Sequence, residues 1–275
     1  MAKDTYYDST IEAPHATMDD YYADVSHRII IDRIKEEGDS LKILDVGCGQ
    51  GLLGSFLVEG NEVFGVDIHK SKIRNCLSKG IKAQLVKEDD PLPYEDNTFD
   101  VVTCRDVLEH LMDPFKMVSE INRVQKEGGI FLSTVPNMYD LWTRIAFPFG
   151  VWTKITFGAN LGHIRFYSRK TYNKLIIDEN FQIEKSISFS FTSYLPKLFG
   201  GLAYIVAIVA NKGSRDNLKV SKQKIYQNIN MGFTKTLGFT SLGGGLLVVA
   251  RKAQKKRSFK GGGGNFTNYK HESFN

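Results

Sequence analysis

The chain has 275 residues, 42% of them hydrophobic, and a formal net charge of +5. This is a globular composition, long enough for one substantial core built as a single α/β domain or as one domain with an insertion. From Arg251 onward there are seven Lys or Arg and one Glu, so residues 1–250 hold 29 basic and 30 acidic groups, and a body this close to neutral argues against a nucleic-acid partner.

The three cysteines, Cys48, Cys76 and Cys104, show no CxxC spacing and no histidines at metal-ligand distance along the chain, so each is read as reduced and packed. Met1 to Asp8 contains no apolar run of the kind that begins a secretory signal, and the expected location is cytoplasmic.

Residues 1–24 are polar and rich in Tyr and Asp. Val25, Ile29, Ile30 and Ile34 then recur at helical spacing and predict a lead-in helix over Val25–Glu37. Strands are expected at Lys42–Val46, Val63–Asp67, Ala83–Val86, Phe99–Cys104 and Ile130–Val135. Helices over Leu52–Leu57, Lys70–Ser78, Val107–Leu111 and Phe115–Val124 separate them, the last stopped by Gly128 and Gly129. Alternation of strand and helix is the signature of a doubly wound parallel sheet.

Beyond Tyr139 the composition changes, and both tryptophans, Trp142 and Trp152, fall in one aromatic segment that reads as a lid at 139–162. A helix over Arg169–Asn180, an alternating strand at Phe181–Phe189 and a final strand at Leu246–Ala250 complete a seven-stranded, mainly parallel sheet with a terminal antiparallel strand. The organisation expected is a lead-in at 1–40, a core at 41–190, an insert at 191–245, a last strand at 246–252 and a basic, Gly-rich tail at 253–275. Within the insert, Leu198–Ala210 is an uninterrupted apolar stretch, short of the roughly 20 residues that span a bilayer. It suits packing on the sheet, burial in a dimer or peripheral contact with a membrane.

The organising stretch is Asp45-Val46-Gly47-Cys48-Gly49-Gln50-Gly51, where an apolar strand ends on an acid and passes through three alternating glycines into a helix. Glycine accepts positive φ and lets a ligand touch the backbone, and the following helix aims free N–H groups at the turn. Gly49 to Gly54 also satisfies the GxGxxG pattern of dinucleotide binding, with Asp67 at a spacing suited to a ribose. In that pattern the first glycine directly follows the strand, whereas Gly49 comes three residues after Val46.

The acidic-x-Gly-x-Gly-x-Gly order resembles, position for position, the signature of class I S-adenosylmethionine (SAM) dependent methyltransferases. Leu92-Pro93-Tyr94 through Phe99-Asp100-Val101-Val102, followed by Val107-Leu108-Glu109-His110-Leu111, is similar to the type 11 and ubiquinone-biosynthesis-like members of that class. So are Arg123 to Gly129, with Glu127 where proline is usual, and His163-Ile164-Arg165-Phe166-Tyr167-Ser168. The resemblance covers roughly residues 41–190.

It implies a Rossmann-like fold in which Asp45, Gly47, Gly49 and Gly51 lie under the methionine part of SAM and Asp67 holds the ribose hydroxyls. Asp89, among Glu88, Asp89 and Asp90, is the residue expected against adenine, and Arg105 is expected to line the cofactor. His163 and His110 are the candidates for a base, since imidazole titrates near neutral pH. A divalent metal on Asp106, Glu109 and His110, at i, i+3 and i+4 of a helix, is the less favoured addition. The acceptor implied is a small or lipidic molecule, methylated at oxygen. The competing readings are an NAD(P)-dependent oxidoreductase using the same turn and a SAM-binding module without catalysis.

Overall fold

The computed structural model describes residues 25–88, 90–146, 162–189 and 244–253. Within them the chain forms α1 (Val25–Lys35), β1 (Lys42–Val46), α2 (Leu52–Ser55), β2 (Glu62–Asp67), α3 (Lys70–Ser78), β3 (Lys82–Leu85), β4 (Phe99–Arg105), α4 (Pro114–Val124), β5 (Gln125–Pro136), α5 (Leu141–Ala146), α6 (Arg169–Asp178), β6 (Phe181–Phe189) and β7 (Gly245–Lys252). The seven strands make one sheet in the order β3-β2-β1-β4-β5-β7-β6. β1 to β5 pair in parallel, and β7 runs antiparallel to both its neighbours, β5 and β6. The strand order reverses between β1 and β4, so the crevice at their carboxyl ends is the switch point where an open α/β sheet takes its ligand.

Alternation along each strand divides the apolar side chains between two cores. Leu44, Val102, Phe131 and Val248 join Val118, Ile121, Tyr172 and Ile176 of α4 and α6. Ile43, Val101, Leu132 and Val249 join Ile30, Ile34, Leu53, Ile73 and Cys76 of α1, α2 and α3. Helices on both faces explain why the strands read as continuous hydrophobic runs.

Three expectations need correction. Val107–Leu111 is a single turn, closed by His110 N donating to Val107 O at 2.9 Å, and is not a helix. Asp106 takes a left-handed φ of 50° and its N–H bonds Thr134 O, which holds the chain to β5 until Asp113 caps α4 by accepting from Lys116 N. α2 ends at Ser55, since its interior contains Gly54 and the Ser55 hydroxyl bonds back to Leu52 O. Gly128 and Gly129 lie inside β5, not before it: a Cβ on Gly129 would fall 2.9 Å from Asp100 O, so the close approach to β4 requires glycine. Residues 1–24, the lid at 147–161, the insert at 191–243 and the tail from 254 lie outside the described residues, and Gly245, expected to close the insert, opens β7. Among those described, no helix is long and apolar enough to cross a membrane.

The loop between β3 and β4 is organised by Arg123 of α4. Its guanidinium donates to Leu92 O and Tyr94 O, both at the 92–98 loop, and to Asp96 and Glu120 at 2.8–2.9 Å. This seats the Tyr94 ring edge-on against Phe64 and Phe99, at 5.8 and 4.8 Å between centroids. A lysine would keep the charge and lose the planar fork. Arg123→Lys is therefore expected to cost about 1–3 kcal/mol in urea unfolding, because buried loop carbonyls lose their donors.

Candidate active site

The β1 strand ends on Asp45, a buried carboxylate that accepts from the Thr103 hydroxyl of β4 at 2.7 Å. Burial pushes this carboxyl up to about 6, against the lowering effects of the Thr103 hydrogen bond and the Arg105 charge. The chain then turns through Gly47, Gly49 and Gly51, all at positive φ of 72°, 52° and 74°. Gly47 N and Cys48 N both donate to Val66 O, and Gly51 N to Cys48 O, which fixes the turn to β2. A Cβ on Gly47 would sit 2.3 Å from the Val107 side chain, and one on Gly51 2.7 Å from Ile81, whereas one on Gly49 meets nothing within 4 Å. Gly47 and Gly51 are thus glycines for packing, and Gly49 faces open space.

Asp67, at the end of β2, is buried and holds that turn: its Oδ2 accepts from Gly49 N at 2.9 Å. Its Oδ1 accepts from His69 N at 2.9 Å and lies 2.8 Å from His69 Nδ1. A carboxylate offers about four acceptor positions, so a ribose reaching Asp67 competes with the His69 ring for Oδ1. His69 carried no signal in the sequence beyond its nearness to Asp67.

Arg105 directs its side chain to the lead-in helix, contacting His27 Nε2 and Ser26 Oγ. Its role is to dock α1 beside the switch point. Asp89 lies outside the described residues; beside it, Glu88 accepts from Met112 N at 3.3 Å, tying the loop after β3 to the loop after β4.

The proposed metal triad is not assembled. Asp106 turns to β5, accepting from the Thr134 hydroxyl at 3.1 Å, and His163 takes its place beside Glu109 and His110. One ligand-type atom from each of Glu109, His110 and His163 lies within 4.8 Å of the others. Ile164 N and Arg165 N both donate to Glu109 O at 3.0 Å, and His110 Nδ1 lies 3.2 Å from Gly162 O, so two segments some fifty residues apart are laced together. The two imidazoles meet edge to face at 4.8 Å, each with its Nε2 3.9 Å from Glu109 Oε1. Glu109 is 1% exposed, and neither carboxylate oxygen has a hydrogen-bond partner among the described residues. Burial, with Asp106 nearby, pushes its carboxyl up to about 9, and burial lowers both histidines. At neutral pH the cluster therefore holds a protonated acid beside two neutral imidazoles.

Residues 44–133 match the family model described as a methyltransferase domain. The strands β1 to β5 thus carry the likeness to a methyltransferase domain. The ubiquinone biosynthesis O-methyltransferase of Aliivibrio fischeri is 37% identical over 102 residues, covering 34% of this chain and 44% of the relative. That of Leptothrix cholodnii is 34% identical over 111 residues, covering 35% of this chain and 45% of the relative. The match thus spans less than half the length of these relatives. Among solved structures, Haemonchus contortus phosphoethanolamine N-methyltransferase 2 in complex with SAM aligns with a TM-score of 0.54 at 17% identity, over 83% of this chain and 52% of that one. The [4+2]-cyclase SpnF aligns with a TM-score of 0.51 at 20% identity, over 82% of this chain and 81% of that one. At such identities the likeness concerns the fold alone.

The residues of this methyltransferase core fit SAM. A buried carboxylate at Asp45 suits an ammonium group, the open side of Gly49 admits a ligand against the backbone, and Asp67 is held in place with one acceptor position left on Oδ2. Gly49→Ala should incur only the left-handed penalty of about 1–2 kcal/mol and weaken binding of S-adenosylhomocysteine. Gly47→Ala should destabilise by more, since its Cβ also meets Val107 at 2.3 Å. Urea unfolding and calorimetric titration together separate the two.

Glu109 supplies a second expectation. Its folded value near 9 lies above the ordinary 4.5, so between those pH values the native protein binds a proton that the unfolded chain has lost. Stability from this group is complete below about pH 4.5 and falls as pH rises toward 9, at most by roughly 1.4 kcal/mol per pH unit. Glu109→Gln, measured with chelator present, should flatten that slope, and its melting temperature should gain on the wild type between pH 5 and pH 8.

Proposed function

We propose that the protein is a SAM-dependent methyltransferase whose acceptor is a small, apolar or lipidic molecule methylated at oxygen. The observation that carries this reading is the placement of two unlike groups at one sheet edge: a glycine turn with its two acids, and a buried cluster of one acid and two neutral imidazoles. SAM supplies an activated methyl on a sulfonium, and the transfer is an in-line displacement. The residues' work is to align the acceptor and take its proton. His163 and His110, both lowered by burial, are unprotonated at neutral pH and able to accept a hydroxyl proton. Protonated Glu109 beneath them limits where that proton can go.

Support for an apolar acceptor comes from the rim. Met112, Ile164 and Tyr139 are 68%, 50% and 52% exposed, and all belong to segments bonded to the cluster or to the strand that follows it. The O-methyltransferase relatives agree with transfer to oxygen. The nicotinamide reading draws no support from them, and the cyclase shows that this fold hosts other reactions, which makes turnover the decisive test.

A second reading concerns a cation. Two carboxylate oxygens without a hydrogen-bond partner among the described residues, next to two imidazoles, are a donor set that suits zinc or a similar divalent ion. Zinc titration decides it: binding that disappears in Glu109→Gln supports the cation, and no binding leaves the cluster a proton site.

For the main reading, Asp67→Ala should weaken S-adenosylhomocysteine by tenfold or more, about 1.4 kcal/mol, as a charged hydrogen-bond acceptor is lost. His163→Ala should leave that affinity within about twofold and lower turnover of a phenolic or catechol acceptor by roughly 10²–10⁴-fold. An unchanged turnover would remove His163 from the reaction.

A further inference from the structure

Cys48 and Cys76 stand 28 positions apart without motif spacing, yet their Sγ atoms lie 3.5 Å from each other. Cys48 is in the glycine turn and Cys76 in α3, and both are buried, Cys48 keeping 6% of its surface. The Cys76 thiol also donates to Gly49 O at 3.3 Å, and its sulfur would be 3.0 Å from a Cβ on Gly51. One sulfur is thus seated against two of the three glycines, and the other belongs to the turn itself. Cys104, the third thiol, is fully buried in β4 and lies in the opposite core.

We propose that Cys48 and Cys76 form a modification site, in which a peroxide oxidises the pair to a disulfide that draws the Gly47–Gly51 turn toward α3 and weakens its hold on an adenosyl ligand. The consequence for ligand binding rests on the SAM reading of that turn. The chemistry closes without further reactants. The Cys48 sulfur attacks one oxygen of hydrogen peroxide, the O–O bond breaks, and sulfenic acid and water form. Cys76 then attacks that sulfur, forming S–S and releasing a second water, so two thiols and one peroxide give one disulfide and two waters.

Geometry favours the second step, since the sulfurs are already in contact. A disulfide is about 2.0 Å long, so the sulfurs must close by roughly 1.5 Å. That movement removes the Cys76 donor from Gly49 O and shifts the residue whose N–H bonds Asp67. The two events therefore oppose each other by linkage: a bound adenosyl ligand should slow the oxidation.

The test uses the reduced full-length protein, exposed to hydrogen peroxide under native conditions. Thiols titrated after denaturation should fall from three to one, and peptide mapping should recover Cys48 joined to Cys76. Affinity for S-adenosylhomocysteine should weaken by about tenfold and return with dithiothreitol. C76A should show no peroxide effect, and C104A should keep it. Three surviving thiols, oxidation without the disulfide, or a disulfide with unchanged affinity each overturn the proposal. If the reduced protein binds no S-adenosylhomocysteine, the SAM reading and the ligand effect fail together, while the thiol count still decides whether the disulfide forms.

Discussion

The bond from Gly49 N to Asp67 is the constraint on which the site depends. Two parallel strands fix the distance between the ends of β1 and β2, but they do not fix the loop between β1 and α2. A buried carboxylate that accepts a backbone N–H does so, because leaving either partner unmatched in a low dielectric would be costly. Around that bond the glycine turn has little freedom: Val66 O anchors its start, Val107 and Ile81 press on Gly47 and Gly51, and the open side is left at Gly49.

The other half of the site is built differently. The turn after β4 is tied to β5 at Asp106 and is strapped beyond it by the segment at 162–165, through main-chain bonds to Glu109 O and by Arg165, whose guanidinium donates to Leu111 O and Met112 O. Those bonds bring His163 to Glu109 and His110, and they keep the buried acid out of water. Proton affinity here is a product of packing: two imidazoles and a carboxyl in the open would carry ordinary charges, whereas the enclosed cluster stays neutral.

The parallel sheet and the glycine turn were legible in sequence because both rest on local rules. Apolar runs such as Ile43–Val46 and Val101–Cys104 mark buried strands, and positive φ at Gly47, Gly49 and Gly51 needs glycine. Asp45 and Asp67 were singled out by the family resemblance, and both stand at the carboxyl ends of their strands. The turn at Val107–Leu111 was misread as a helix, since its apolar spacing is helical and the left-handed Asp106 that breaks it has no signature in composition. That error in turn misplaced the metal triad. The Arg105 contact with His27 and the Cys48–Cys76 pair were illegible for another reason: each joins residues from separate elements, and one chain read in order does not show which helix face meets which turn. Asp89 and residues 191–243 of the insert fall outside the described residues.

Strand β7 enters the sheet between β5 and β6, with Gly245 paired to Phe189 on one side and to Pro136 on the other. The carboxyl end of β6, the start of β7 and the carboxyl end of β5 therefore meet at one corner, where Asn137 N bonds Gly244 O. Phe189 and Gly244 are therefore neighbours in space although 55 positions separate them in sequence. Closing a chain between two such fixed points costs only about 0.6 kcal/mol more for each doubling of its length. Both points lie at the end of the sheet remote from β2 and β3. A change in the number of residues between them is absorbed there, and the register of β1 with β2, the strands that carry Asp45 and Asp67, does not depend on it.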